Sequence, residues 1–119
     1  MDGATAAARG LDDVLAALAD PTRRSLFERL AAAGPDTATH LADGLPVTRQ
    51  AVVKHLQVLA GAGLLTSVRE GREVRYRAEP AALDDAVEWM VRTGAAWDRR
   101  LARLRTRVTP TSAPPPSGR

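Results

Sequence analysis

A mainly helical fold carrying one small β-hairpin is predicted by three observations. Apolar residues make up 45% of the 119, nearly all of them Ala, Leu and Val, while aromatics amount to only 3%. Ala and Leu form helices well and strands poorly. Apolar positions also recur at helical spacing through most of the chain. One stretch, residues 64–77, instead places β-branched and aromatic runs on either side of a charged, glycine-containing loop.

The first helix is expected at about 11–19, where Leu11, Val14, Leu15 and Leu18 fall on one face. Residues 1–10 are Ala-rich without an apolar face to bury and are expected to fray. Asp20-Pro21 is a helix-start signal: the carboxylate can accept from free amides, and Pro21 loses nothing at the first helical position. The second helix then runs to about Ala33, buries Leu26, Phe27 and Leu30, and ends at Gly34-Pro35.

Thr37 is the expected cap of a short third helix, Ala38 to Asp43, with Leu41 pointing inward. Gly44-Leu45-Pro46 makes a three-residue turn before the next cap, Thr48. A fourth helix of about 49–60 follows, with Val52, Leu56 and Leu59 as its apolar stripe and Gly61 and Gly63 at its end. Two strands come next, Leu64 to Val68 and Val74 to Arg77, joined by a tight loop whose Gly71 suits a positive φ.

Pro80 opens a long last helix. Its residues Leu83, Val87, Met90, Gly94, Trp97, Leu101, Leu104 and Val108 are spaced alternately by four and three, the seam of a helix that packs along another helix. The segment from 109 onward, TPTSAPPPSGR, has nothing to bury and is expected to be disordered. The domain expected from this reading is therefore 11–108.

Composition narrows the chemistry. With zero cysteines, disulfides, thiolate metal sites, iron–sulfur clusters and cysteine nucleophiles are excluded. The two histidines, His40 and His55, lie too far apart to form one short metal motif. Asp12-Asp13 and Asp84-Asp85 are adjacent pairs that diverge by ~100° on a helix. They fit the positive end of a helix dipole better than a shared proton or metal. No metal, no cofactor and no enzymatic activity are expected. No apolar run reaches the ~18 residues that read as a membrane span, and the N-terminus lacks a secretory pattern, so a cytoplasmic location and no membrane partner are expected.

Charge is unevenly placed. Residues 1–47 hold four basic and seven acidic side chains, whereas residues 48–119 hold thirteen basic and seven acidic. The excess concentrates in 48–77, with six basic and two acidic residues. An anionic partner for that part follows from the asymmetry.

Helix, short helix, three-residue turn, helix and charged hairpin is the element order of a winged helix-turn-helix. In such a unit one helix protrudes into a major groove ~12 Å wide while the short helix braces it. With Val52 at the centre of the buried stripe, Gln50, Lys54 and Gln57 fall on the opposite face and Val53 on its edge. Thr48 and Arg49 stand at the N-terminus, which meets DNA first. Gln can pair with adenine, Arg or Lys with guanine, and Val53 can meet a thymine methyl. Arg69, Arg72, Arg75 and Arg77 of the hairpin suit phosphates. His55 lies at the border of the stripe and reads equally as a phosphate donor or as a satisfied boundary histidine; His40 reads as a surface residue.

The segments LAALADPTRRSLFERLA, VTRQAVVKHLQVLAGAGLL and REGREVRYRAEPAAL closely resemble the ArsR-type winged helix-turn-helix repressors. The likeness covers about Leu11 to Val108. The ending WDRRLARL is similar to the metal-independent branch of that family. The resemblance implies a sequence-specific homodimeric repressor of operator DNA with Thr48 to Gln57 as recognition helix and Glu70-Gly71-Arg72 as wing tip. It also implies dimerisation through the first and last helices, hence through Leu11, Val14, Leu15, Leu18, Leu83, Val87, Met90, Trp97, Leu101 and Leu104. Relatives that sense metals use third-helix thiolates or Asp/His/Glu sets on the last helix. Here the third helix has no Cys and the last no His, so both sites are expected to be missing. Val53 replaces a small polar residue of the family pattern, and His40 an acidic one, which removes a reciprocal capping-box contact to Thr37. A winged-helix adaptor that binds protein rather than DNA is the alternative. An inducer held near Trp89 or Trp97 stays open beside plain packing of those rings.

Overall fold

The computed structural model describes residues 3–108, with side chains from residue 10 to residue 106. The order is α1 (Gly3–Leu18), α2 (Pro21–Ala33), β1 (Asp36–Thr37), α3 (Ala38–Ala42), α4 (Arg49–Gly61), β2 (Leu65–Glu70), β3 (Glu73–Ala78), a 3-10 turn (Pro80–Leu83) and α5 (Asp84–Val108). Two compact units divide after Ala86. The expected fold class, mainly helical with a hairpin wing, is the one observed.

Local chemistry explains the boundaries. Asp20 Oδ2 accepts from the Arg23 amide at 2.9 Å, Thr37 Oγ1 from the His40 amide at 3.2 Å, and Thr48 Oγ1 from the Ala51 amide at 3.0 Å. All three expected caps are thus formed, each satisfying an amide that the first helical turn leaves free. Gly34 ends α2 with φ 97°, a conformation that side chains with a Cβ rarely adopt.

Several boundaries differ from expectation. α1 begins at Gly3 rather than near residue 11, because Ala-rich sequence extends an already nucleated helix without needing a face to bury. The strands run to Glu70 and from Glu73, leaving a two-residue turn in which Gly71 has φ 65°. Pro80 opens a 3-10 turn and α5 proper starts at Asp84; Glu79 makes no side-chain cap there. The segment 109–119, expected to be disordered, lies outside the described residues.

The core of the first unit joins every helix to the hairpin. Val14 and Ala17 of α1 meet Leu26, Phe27 and Leu30 of α2, Leu41 of α3, and Val52, Leu56 and Leu59 of α4. Leu64, Leu65, Tyr76 and Ala78 close it from the hairpin and Ala86 from α5. Leu41, Val52, Leu56, Leu59 and Leu64 are 0% exposed. Burying one such Leu stabilises the fold by ~1.5–3 kcal/mol over leaving it in water, so the small size of each side chain is offset by complete burial.

Two features escaped the sequence reading. β1, only two residues long, pairs antiparallel with β3 through Asp36 opposite Tyr76 and Thr37 opposite Arg75, giving a three-stranded sheet of order β1-β3-β2. Arg23 and Arg24 of α2 turn back on the C-terminus of α1. Arg23 Nε donates to the Ala17 carbonyl at 2.6 Å and Arg24 Nη1 to the Leu18 carbonyl at 2.7 Å. Cations there satisfy orphan carbonyls at the negative end of the helix dipole.

The second unit contains the rest of α5 from Val87. Val87, Met90, Trp97, Leu101 and Leu104 are about half exposed, so most of the expected seam remains uncovered on a single chain. Val14 is a correction: at 4% exposure it belongs to the core of its own chain and has no surface to give a partner. Leu11, Leu18 and Leu83 are half-buried against that core, and Leu15 is exposed.

Candidate nucleic-acid interface

The buried stripe of α4 fixes which face of that helix looks outward. Val52, Leu56 and Leu59 are sealed in the core, so Gln50, Lys54 and Gln57 project to solvent with Val53 half-buried at their edge. Thr48, Arg49, Gln50, Ala51, Val53, Lys54 and Gln57 together line a shallow hollow along the helix. All six α4 and cap residues expected to face DNA on that side are thereby brought together. Thr48 spends its acceptor on the cap, while its hydroxyl proton stays available to a phosphate oxygen.

A second groove runs between α4, α3 and the hairpin. Thr37, Ala38, Thr39, Arg49, Val53, Gln57, Arg72, Glu73, Val74 and Tyr76 line it. Arg49 is shared by both hollows and is held in place. Its Nε donates to Thr39 Oγ1 at 3.0 Å, a contact between the brace helix and the first residue of α4. Thr39 was not singled out from sequence; the signal was only that a short helix and a three-residue turn fold its first turn back over the start of α4.

The four hairpin arginines do not form one surface. Val68 pairs with Arg75, Thr66 with Arg77 and Arg69 with Val74, and residues opposite each other share a face of the sheet. Arg69 therefore lies on the face of Tyr76 and Val74, whereas Arg75 and Arg77 lie on the other. Arg72 sits at the tip and lines the groove beside α4. Arg75 is engaged within the wing, its Nε 3.1 Å from Glu70 Oε1. That pair also relieves the direct opposition of Glu70 and Glu73 across the end of the ladder.

His55 is on a different side of α4 and lines neither hollow. Its Nδ1 lies 4.0 Å from Asp20 Oδ2, and both side chains are partly buried. The boundary role that the sequence left open is the one this contact favours. Asp20 titrates below its ordinary value, chiefly because the Arg23 amide donates to the carboxylate, with the charges of Arg23 and His55 adding to it. His40, exposed as expected, contacts Asp36 through its ring Nδ1. Burial pushes the Asp36 carboxyl up, but hydrogen bonds from His40 and from the Thr37 amide outweigh it, and the group titrates below the usual range.

Among the described residues no group of three or more His, Cys, Asp or Glu is placed to hold a metal ion. No described helix is long and apolar enough to cross a membrane.

Known proteins share this arrangement. A family model described as a helix-turn-helix domain matches residues 18–68. The HTH-type transcriptional regulator Rv2034 of Mycobacterium tuberculosis is 44% identical over 75 residues, covering 63% of this chain and 69% of that protein. The transcriptional repressor SdpR of Bacillus subtilis is 28% identical, covering 68% and 89%. An ArsR-like transcriptional regulator from Rhodococcus sp. RHA1 superimposes with a TM-score of 0.71 at 45% identity, covering 84% of this chain and 93% of that one. The homodimeric winged helix-turn-helix DNA-binding domain Mb0332 from Mycobacterium bovis superimposes with a TM-score of 0.59 at 25% identity, covering 85% and 90%.

Proposed function

The chain belongs to the ArsR family of winged helix-turn-helix transcriptional regulators, and from that premise we propose that it is a repressor that binds an operator as a homodimer and occludes the promoter. The observation that carries this reading is the outward face of α4, where Gln50, Lys54 and Gln57 stand beside Val53 and Arg49 on a helix pinned by fully buried leucines. Such a helix presents hydrogen-bonding groups and a methyl surface to base edges without moving its backbone.

Arg49, Gln50, Val53 and Lys54 read bases in this proposal; Thr48 and Arg72 hold phosphates, with Gln57 and Arg69 at the margin. Arg75 and Arg77, turned to the other face of the wing, act through longer-range attraction. The half-exposed row Val87, Met90, Trp97, Leu101 and Leu104 is the dimer seam. Two-fold symmetry then requires an imperfect inverted repeat with half-sites about one helical turn apart, or a multiple of it. The protein senses no metal through thiolates, a reading supported by the lack of cysteine.

The test is fluorescence anisotropy with the DNA upstream of its own gene against a scrambled duplex over a salt series. Tight binding to the native fragment, with log K falling linearly in log salt, is the expected outcome. Equal, weak binding to both duplexes means either an operator distant from the gene or the protein-binding adaptor.

A further inference from the structure

Arg49 is the first residue of α4, lies on the surface, and is lined up with both the helix face and the groove beside the wing. An exposed arginine ordinarily samples many rotamers, and fixing it on a ligand costs conformational entropy. This one is already tied down: its Nε donates to Thr39 Oγ1 at 3.0 Å, across the turn that separates α3 from α4. Among the described residues no carboxylate pairs with Arg49. Thr39 itself is exposed and this is its side chain's hydrogen bond.

From this geometry we infer that Thr39 is a positioning residue for DNA readout, holding Arg49 so that its Nη1/Nη2 fork points end-on at one guanine in each half-site of the operator. The inference rests on the operator reading above. With Nε committed to Thr39, the side-on fork made by Nε and one Nη is unavailable, and the two terminal nitrogens form the remaining bidentate edge. That edge matches the O6 and N7 acceptors of guanine. Thr39 touches no base. It acts by removing the rotamers in which the fork swings onto a neighbouring phosphate or base, so its effect falls on discrimination at one base pair in each half-site rather than on affinity at large.

A duplex selected by the full-length wild-type protein from a randomised pool, followed by anisotropy on every single-base variant of that duplex, tests the inference. Arg49→Ala defines the position that Arg49 reads in each half-site by abolishing preference there. Thr39→Val is expected to lower the preference for guanine at that same position about tenfold, leave the other positions unchanged, and leave the thermal melt unchanged because residue 39 is exposed. Thr39→Ser, which keeps the hydroxyl, is expected to restore it. A Thr39→Val protein with wild-type preference at that position, or one weakened equally on every duplex, overturns the positioning role while the operator reading stands. Failure of the wild type to select any sequence overturns both.

Discussion

Arg75 donates its Nε to Glu70 Oε1 at 3.1 Å, so one of the wing's four arginines is tied within the wing itself. The strand register puts Arg77 on the same face, whereas Arg72 at the turn lines the groove beside α4. Each phosphate contact adds about 0.9 to the slope of log K against log salt. Arg72→Ala removes one contact per protomer, hence two per bound dimer, and is therefore expected to flatten that slope by about 1.8, and Arg75→Ala to leave it nearly unchanged. Anisotropy over a salt series reads both, and an equal loss for the two variants would show that the hairpin rotates its outer face onto DNA.

Lys54 projects from the middle of the exposed face of α4. If it reads a base, Lys54→Ala is expected to weaken operator binding by ~1–3 kcal/mol and to relax preference at one position. Uniform weakening on all duplexes moves Lys54 to the phosphates, and unchanged affinity removes it from the interface.

Leu101 and Leu104 are each about half exposed on α5, a poor solvent environment for two leucines unless another helix covers them. Replacing both with Glu is expected to give monomers by light scattering and to abolish tight operator binding, since two half-sites must be held together. A dimer that survives the double substitution sinks the α5 seam.

Asp20 links stability to pH. Its folded-state carboxyl titrates below the ordinary 3.8 because the Arg23 amide donates to it, so the charged form is favoured in the folded chain. The resulting stability is present above the unfolded value and is lost as pH falls through the lower folded one. Asn keeps an acceptor at this cap but not the charge. The stability gap between wild type and Asp20→Asn in urea melts is expected to be full at neutral pH and to close in acid below about 3.8. A gap independent of pH would assign the whole effect to the cap's geometry.

The outward face of α4 was largely legible because a helix obeys one period. Given Val52, Leu56 and Leu59 as the buried stripe, the outward place of Gln50, Lys54 and Gln57 follows from 100° per residue, and the structure keeps it. The wing was less legible. Four arginines in nine residues look like one cationic patch until it is known that Arg69 lies opposite Val74 and Arg75 opposite Val68.

What the sequence alone determined is what short-range interactions control. The caps Asp20, Thr37 and Thr48, the positive φ at Gly71 and the buried faces of the helices each depend on residues within about four positions. Only the tertiary structure decided the pairing of Asp36 with Tyr76, the grip of Arg23 on the end of α1, the burial of Val14 and the hold of Thr39 on Arg49. The partners in the strand pairing are forty positions apart, and each of the others joins different elements. Such contacts form only after the core has packed, because no local preference favours one distant partner over another until burial brings the two together.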